Sequence, residues 1–184
     1  MQGPNPLRDN VPTPSRPLLG MTILVVEDSR YASEAMRLMC VRSGARIRRA
    51  DCLASARRHL QVYRPTVMIV DVGLPDGSGL ELIEEMNRLT PRVDVLLATS
   101  GDEGSEQASL SAGADGFLAK PVRKIATFQA EVLRHVAPDR RPAGPRLVDS
   151  TDVTPDAVAY RDDMAAIAET LCHAADDQTV GYVD

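Results

Sequence analysis

Short apolar runs alternate along the middle of the chain with stretches in which apolar residues recur every three or four positions. The second pattern is typical of amphipathic helices, and the first favours strands that are buried on both faces. We predict five strands, of which the second is a weak edge strand with one apolar residue: Ile23–Val26, Arg46–Arg49, Val67–Val70, Val93–Ala98 and Gly116–Ala119.

A helical stretch follows each strand. The fourth, Ser105–Ala112, is short and has few large apolar residues. The apolar positions of the other four are Tyr31, Ala35, Leu38 and Met39; then Leu53, Ala56 and Leu60; then Leu80, Ile83, Met86 and Leu89; and finally Ile125, Phe128, Val132 and Val136. This strict alternation predicts an α/β fold in which helices cover both faces of a parallel sheet. Right-handed crossovers between the strands then give a doubly wound arrangement.

The segments on either side of this pattern differ from it in composition. Residues 1–20 hold five prolines and little apolar periodicity, which predicts a disordered or extended tail. The doubly wound domain is then expected over residues 21–137. A linker rich in proline and glycine is expected over residues 138–155.

A last amphipathic helix is predicted over residues 156–175, with Thr154 as its N-cap, and an acidic tail over residues 176–184. Its apolar residues recur at spacings of four, three and four and form one stripe: Tyr160, Met164, Ile167 and Leu171. Because an isolated helix of this length is marginal in water, we expect it to lie on its own domain, a second copy or a partner.

Composition limits the partners, the cysteine-based sites and the cellular location that we expect for this chain. The formal net charge is −5, which argues against nucleic acid as the main partner. The three cysteines are widely spaced, which predicts neither a disulfide framework nor a zinc site. The sequence has no apolar stretch long enough to cross a membrane and no signal-peptide pattern, so we expect a soluble, cytoplasmic protein.

Polar residues stand at the ends of four predicted strands: Glu27 and Asp28 after the first, Asp71 after the third, Thr99 after the fourth and Lys120 after the fifth. The carboxyl ends of parallel strands meet at one edge of a sheet. Any one of these residues alone is well explained as a helix cap, a turn residue or a strand end. Three carboxylates close together either have raised pKa values or require a cation, for which Mg²⁺ is well suited, and the lysine suits an incoming phosphate. Asp71 is then a carboxylate nucleophile for phosphoryl transfer.

The segments ILVVEDS, VMIVDVGLPDGSG, VLLATSGD and GADGFLAKP carry these residues. Together they resemble the CheY-like receiver domain of two-component response regulators. The resemblance covers about residues 21–137. It implies a flavodoxin-like fold with five parallel strands in the order 2-1-3-4-5 and five helices, to which this chain adds a C-terminal helical extension.

The resemblance also implies roles for the residues at the strand ends. Asp71 is expected to be the phosphoacceptor. Glu27, Asp28, Asp71 and the backbone carbonyl of Gly73 are expected to hold Mg²⁺, and Lys120 is expected to contact the phosphoryl oxygens. The family pattern places a cis peptide bond between this lysine and the proline that follows it.

Thr99 and Phe117 are the switch residues that the resemblance implies. We expect a single-domain regulator without enzymatic turnover, phosphorylated by a histidine kinase or a phosphotransfer protein, that signals to a downstream protein. We also consider a homodimer through the last helix. The alternative is a constitutive interaction module with the receiver fold, which would need none of the site residues. A Mg²⁺-dependent phosphohydrolase is disfavoured, because such enzymes commonly have a second acid at the position of Gly73.

Overall fold

The computed structural model describes residues 11–102, 104–145 and 147–179. Its main sheet has five strands: β1 (Thr22–Val26), β2 (Arg46–Ala50), β3 (Val67–Asp71), β4 (Val95–Ser100) and β5 (Gly116–Ala119). Its α-helices are α1 (Arg30–Arg42), α2 (Leu53–Val62), α3 (Gly79–Arg88), α4 (Ser105–Ala112), α5 (Ile125–His135) and α6 (Ala157–Thr179).

All neighbouring strands of the main sheet are parallel, in the order β2-β1-β3-β4-β5. This confirms the predicted α/β fold and its strand order. Successive side chains of a strand point to opposite faces, so the sheet has an apolar cluster on each side. Ile23 and Val25 pack with residues of α1 and α5 in one cluster, which we call the α1–α5 cluster. Leu24 and Val26 pack with residues of α2 and α3 in the other, the α2–α3 cluster.

Two strands differ in informative ways from the apolar pattern. β2 lies at an edge of the sheet, as predicted from its single isoleucine, and its three arginines are all exposed. β4 begins and ends two residues later than the predicted Val93–Ala98. Val93 is buried, but pairing with β3 begins at Val95 and continues to Thr99. Hydrophobicity marked the buried positions here, whereas backbone pairing sets the strand.

The predicted tail over residues 1–20 is wrong for its last residues; residues 1–10 lie outside the described part of the chain. Leu18 is fully buried in the α1–α5 cluster, and its backbone N–H donates to the carbonyl of Ser43 at 2.9 Å. The prolines disfavour regular structure in this segment, and the buried Leu18 attaches it to the core. No periodic pattern signals such an isolated contact.

The predicted linker over residues 138–155 also contacts the domain near its end. Val153 is buried, its N–H donates to the carbonyl of Arg123 at 2.8 Å, and Asp152 forms a β-bridge with Lys124. We call residues 151–155 the strap. The strap passes beside the loop between β5 and α5.

The last helix was predicted over residues 156–175 and is observed over Ala157–Thr179, so it includes the start of the predicted acidic tail. Residues 180–184 lie outside the described residues. The predicted cap, Thr154, is replaced by Asp156, whose carboxylate accepts the N–H of Ala159 at 2.9 Å. In the described part of the chain, no helix is both long enough and apolar enough to cross a bilayer.

We expect Leu18→Ala to lower the free energy of unfolding by about 2–5 kcal/mol, because it leaves a cavity in the core. Leu147→Ala is the matched control: this leucine is 65% exposed, and its loss should change the free energy by less than about 0.5 kcal/mol. Urea unfolding of both variants makes the comparison. Equal stabilities would mean that residues before 21 do not belong to the folded domain.

Candidate functional site

Three acidic side chains meet where β1 and β3 end. Glu27 and Asp28 follow β1, and Asp71 is the last residue of β3, the neighbouring strand. One carboxylate oxygen of each lies within 4.8 Å of those of the other two. Glu27 and Asp71 are buried, whereas Asp28 is exposed. The predicted acidic cluster therefore forms, with one side open to solvent.

Lys120 lies among these acids. It follows β5, and its Nζ lies 2.7 Å from Glu27 Oε2 and 2.7 Å from Asp71 Oδ2. Its backbone N–H donates to the carbonyl of Ser100 at 2.9 Å, and the bond to Pro121 is cis, as expected. One ammonium thus balances part of the charge of three carboxylates.

Burial controls the electrostatics of this cluster. It raises the pKa of Glu27 from 4.5 to about 7, against the opposing effect of the Lys120 charge, and the Asp71 carboxylate adds to the rise. Burial also opposes the charged form of Lys120, but Glu27 and Asp71 outweigh it and raise the pKa of Lys120 above its ordinary value. The ammonium is therefore charged at neutral pH, while Glu27 needs further positive charge to be fully ionised.

The donor set fits Mg²⁺. The three side chains offer hard carboxylate oxygens, which this ion prefers, and the open side at Asp28 leaves room for the waters that it retains. Glu27 Oε2 is buried and pairs with the Lys120 ammonium, but it accepts no directed hydrogen bond from the described residues. A cation would complete the surroundings of this oxygen and favour the ionised form of the acid.

The two predicted switch residues lie beside the acidic cluster. Thr99 is the strand partner of Asp71 and is fully buried. Its hydroxyl donates to the carbonyl of Leu118 in β5 at 2.7 Å. Phe117, the residue before Leu118, is half-buried against the α2–α3 cluster. The hydroxyl predicted to contact a phosphoryl group is thus held by β5 in this structure.

The predicted ligand Gly73 begins a short antiparallel hairpin, formed by Gly73–Leu74 and Gly77–Ser78, directly after β3. The N–H of Gly73 donates to Asp71 Oδ1 at 3.3 Å, which places this backbone next to the predicted phosphoacceptor. A Cβ at Gly73 would have no neighbour within 4 Å. This side of the site is therefore open.

Two residues that support the site were not predicted from the sequence. Asp76, in the hairpin turn, accepts the N–H groups of Leu53 and Ala54 at 2.8 and 2.9 Å and so caps α2. Gly79 begins α3 so close to β3 that a Cβ would overlap the carbonyl of Asp71. The sequence signals a turn at Gly79 but not this close approach.

Comparisons with known proteins agree with this geometry. The family model for the response regulator receiver domain matches residues 23–131, more than half of the chain. The chain belongs to the response-regulator receiver family. The receiver domain contains all the residues discussed so far at the carboxyl edge of the sheet.

Curated relatives extend beyond this receiver domain. The KDP operon transcriptional regulatory protein KdpE of Escherichia coli is 31% identical over 143 residues, which are 74% of this chain and 61% of that protein. The probable transcriptional regulatory protein TcrX of Mycobacterium tuberculosis is 34% identical over 131 residues, which are 71% of this chain and 54% of that protein. The chain thus spans between half and two thirds of the length of these relatives.

Solved structures show the same fold. A putative response regulator from Chloroflexus aurantiacus is 29% identical with a TM-score of 0.52, and the match covers 55% of this chain and 85% of that one. The signal receiver domain of a histidine kinase from Syntrophus aciditrophicus is 25% identical with a TM-score of 0.58. That match covers 69% of this chain and 98% of the other one. The same fold is thus found in a protein named as a putative response regulator and in one named as a histidine kinase.

The raised pKa of Glu27 predicts a pH dependence of stability. A carboxyl that is more readily protonated when folded makes its favourable contribution at low pH and loses it as pH rises through about 7. Between pH 5 and 8, without metal, wild type should therefore lose up to about 3 kcal/mol of stability relative to Glu27→Gln.

Urea unfolding in EDTA at several pH values measures this difference. Glu169→Gln, on the exposed surface of α6, is the control, and its curve should run parallel to that of wild type. Parallel curves for wild type and Glu27→Gln would show that burial does not disfavour the Glu27 carboxylate.

Proposed function

We propose that the receiver domain is a phosphorylation-controlled switch in which Asp71 is the phosphoacceptor and Mg²⁺ is the required metal. The observation that carries this proposal is the contact of Lys120 with the buried carboxylates of Glu27 and Asp71, within a cluster of three carboxylates. A structural ion pair needs one acid for one base. An excess of buried acids is better explained by a site that receives a cation and a phosphoryl group.

The chemistry follows from the groups in place. An oxygen of the Asp71 carboxylate attacks the phosphorus of the donor, the bond from phosphorus to the donor nitrogen or oxygen breaks, and that atom keeps the bonding electrons. The product is an acyl phosphate on Asp71. Lys120 moves from Glu27 toward the phosphoryl oxygens and neutralises part of their charge.

Mg²⁺ would be held by Glu27, Asp28, Asp71 and the carbonyl of Gly73, and it supplies charge neutralisation for the transferred phosphoryl group. The closeness of the three carboxylates supports the first three ligands. The Gly73 ligand rests on the family pattern and on the position of this residue next to Asp71.

The switch that we propose consists of Thr99 and Phe117. The Thr99 hydroxyl would leave the Leu118 carbonyl and bond to the phosphoryl group, and Phe117 would then move inward. Phe117 has no hydroxyl to bond in either position, so the switch would depend on packing alone.

The partners that we propose are a histidine kinase or phosphotransfer protein as donor and a downstream protein as target, with no enzymatic turnover by this chain. The net charge of −5 favours protein partners over nucleic acid. KdpE and TcrX are named as transcriptional regulatory proteins, but the matches leave 39% and 46% of their lengths uncovered.

Phosphorylation of Asp71 is tested with a small donor. We expect acetyl phosphate and Mg²⁺ to add one phosphoryl group, detected by intact mass, because the site has a nucleophile and the charges to support it. Asp71→Asn should gain none, and neither should wild type in EDTA. Asp115→Asn is the control for loss of a carboxylate elsewhere in the receiver domain. Failure of wild type to gain mass or to bind beryllofluoride would favour the constitutive interaction module.

Self-association through α6 is a second part of the proposal. The four stripe residues are 46–65% exposed: Tyr160, Met164, Ile167 and Leu171. A second copy would remove this apolar surface from water. We expect light scattering to give the mass of a dimer for wild type and of a monomer for Ile167→Ser.

Val62→Ser is the matched control, because this residue is 84% exposed on α2 and lies outside the stripe. Its mass should equal that of wild type. A monomeric wild type at concentrations up to the millimolar range would contradict dimer formation through α6.

A further inference from the structure

The docked side of α6 is polar. Asp163 accepts three hydrogen bonds at the start of α1: from Arg30 N–H at 2.8 Å, from the Ser29 hydroxyl at 2.8 Å and from Tyr31 N–H at 2.9 Å. These first N–H groups of a helix have no partner within the helix itself. A carboxylate from 134 residues further along the chain therefore caps α1.

Neighbouring contacts reinforce this docking. Asp162 pairs with the guanidinium of Arg30 at 2.7 Å, and the rings of Tyr31 and Tyr160 meet edge to face at 5.9 Å. The exposed Arg30–Asp162 pair contributes little on its own. The capping by Asp163 is the better-defined contact, because both oxygens of one carboxylate are engaged by the partly buried start of α1.

The capped residue is linked to the acidic cluster. Ser29 donates its hydroxyl to Asp163 and its backbone N–H to Glu27 Oε1 at 3.1 Å. Glu27 in turn contacts Lys120, which contacts Asp71. A continuous chain of polar contacts therefore runs from α6 through Ser29 and Glu27 to Asp71.

We propose that Asp163 is a positioning residue for the candidate metal site, and that docking of α6 and binding of a divalent cation favour each other. This inference rests on the proposed function of that site. Asp163 holds Ser29, and Ser29 holds Glu27 within reach of Asp28 and Asp71. Loss of the contact frees the loop and disperses ligand oxygens that are now gathered.

Electrostatics act in the same direction. The start of α1 carries partial positive charge and lies next to Asp28, so it repels a cation in the cluster. The Asp163 carboxylate offsets this charge. Asp156 lines the same cleft as Glu27 and Asp28 and adds negative potential there, whereas the charge of Asp162 in that cleft is balanced by Arg30. Docked α6 therefore favours a cation both by geometry and by charge.

The strap holds the opposite side of the site. The backbone N–H of Val153 donates to the carbonyl of Arg123, three residues after Lys120. The Val153 side chain is buried in the α1–α5 cluster. The segment before α6 and the beginning of α6 thus contact both loops that carry site residues. This arrangement supplies a route by which the site and the C-terminal helix affect each other.

Titration calorimetry with MgCl₂ on the full chain tests the inference. We expect Asp163→Ala to weaken Mg²⁺ binding roughly tenfold, the lower end of the effect of losing an outer-shell partner. Asp163→Asn should weaken it less, because the amide oxygen can still accept from α1. Glu169→Ala, which removes an exposed acid from the same helix, should bind Mg²⁺ within about twofold of wild type.

Amide exchange gives an independent readout, since coupling between two sites is reciprocal. Mg²⁺ should slow exchange over residues 157–171 in wild type and leave it unchanged in Asp163→Ala. A merely structural role would lower the free energy of unfolding without changing Mg²⁺ affinity. Wild-type affinity in both folded Asp163 variants, or exchange in α6 that ignores Mg²⁺, would overturn the inference.

The outcome is separable from that of the proposed function. If wild type binds Mg²⁺ in an Asp163-dependent way but takes no phosphoryl group from acetyl phosphate, the positioning role stands and the phosphoacceptor role fails. If wild type is phosphorylated normally and the Asp163 variants bind Mg²⁺ equally well, only the positioning role fails. If wild type binds no Mg²⁺, both fail.

Discussion

The contact of Lys120 with Glu27 and Asp71 is the interaction on which the site depends. Three carboxylates at the ends of two adjacent strands repel one another, and burial adds to the cost of their charge. The ammonium that follows β5 relieves part of this repulsion. The remaining excess of negative charge makes the edge of the sheet suitable for a cation, and a phosphoryl group would give Lys120 a new anionic partner.

The parallel sheet makes this convergence possible. β1 and β3 are neighbours, so their carboxyl ends bring Glu27, Asp28 and Asp71 together, and β5 brings Lys120 from the far side of β4. Two apolar clusters hold the sheet between layers of helices. Gly79 allows α3 to begin directly against Asp71. The fold therefore sets the positions of the backbone segments that carry the site residues.

Much of this arrangement was predictable from local patterns. Apolar runs and helical spacing located the elements of the receiver domain, and polar residues at the strand ends identified the acidic cluster. The strand order came from the resemblance to the family rather than from periodicity. Contacts between distant residues were not predictable: Leu18 joins the core through one side chain, and Asp163 reaches Ser29 across 134 residues. Neither contact leaves a periodic signal in the sequence.

A crystal structure with Mg²⁺ and beryllofluoride shows directly whether Asp71 accepts a phosphoryl group, because beryllofluoride mimics a phosphoryl group on a carboxylate. We expect beryllium bonded to Asp71, the metal in contact with Glu27 and Asp28, and Lys120 Nζ moved from Glu27 to a fluoride. An Asp71 carboxylate without the anion at saturating concentrations, with Lys120 still paired to Glu27, would contradict the assignment of this cluster as a phosphoryl-accepting site.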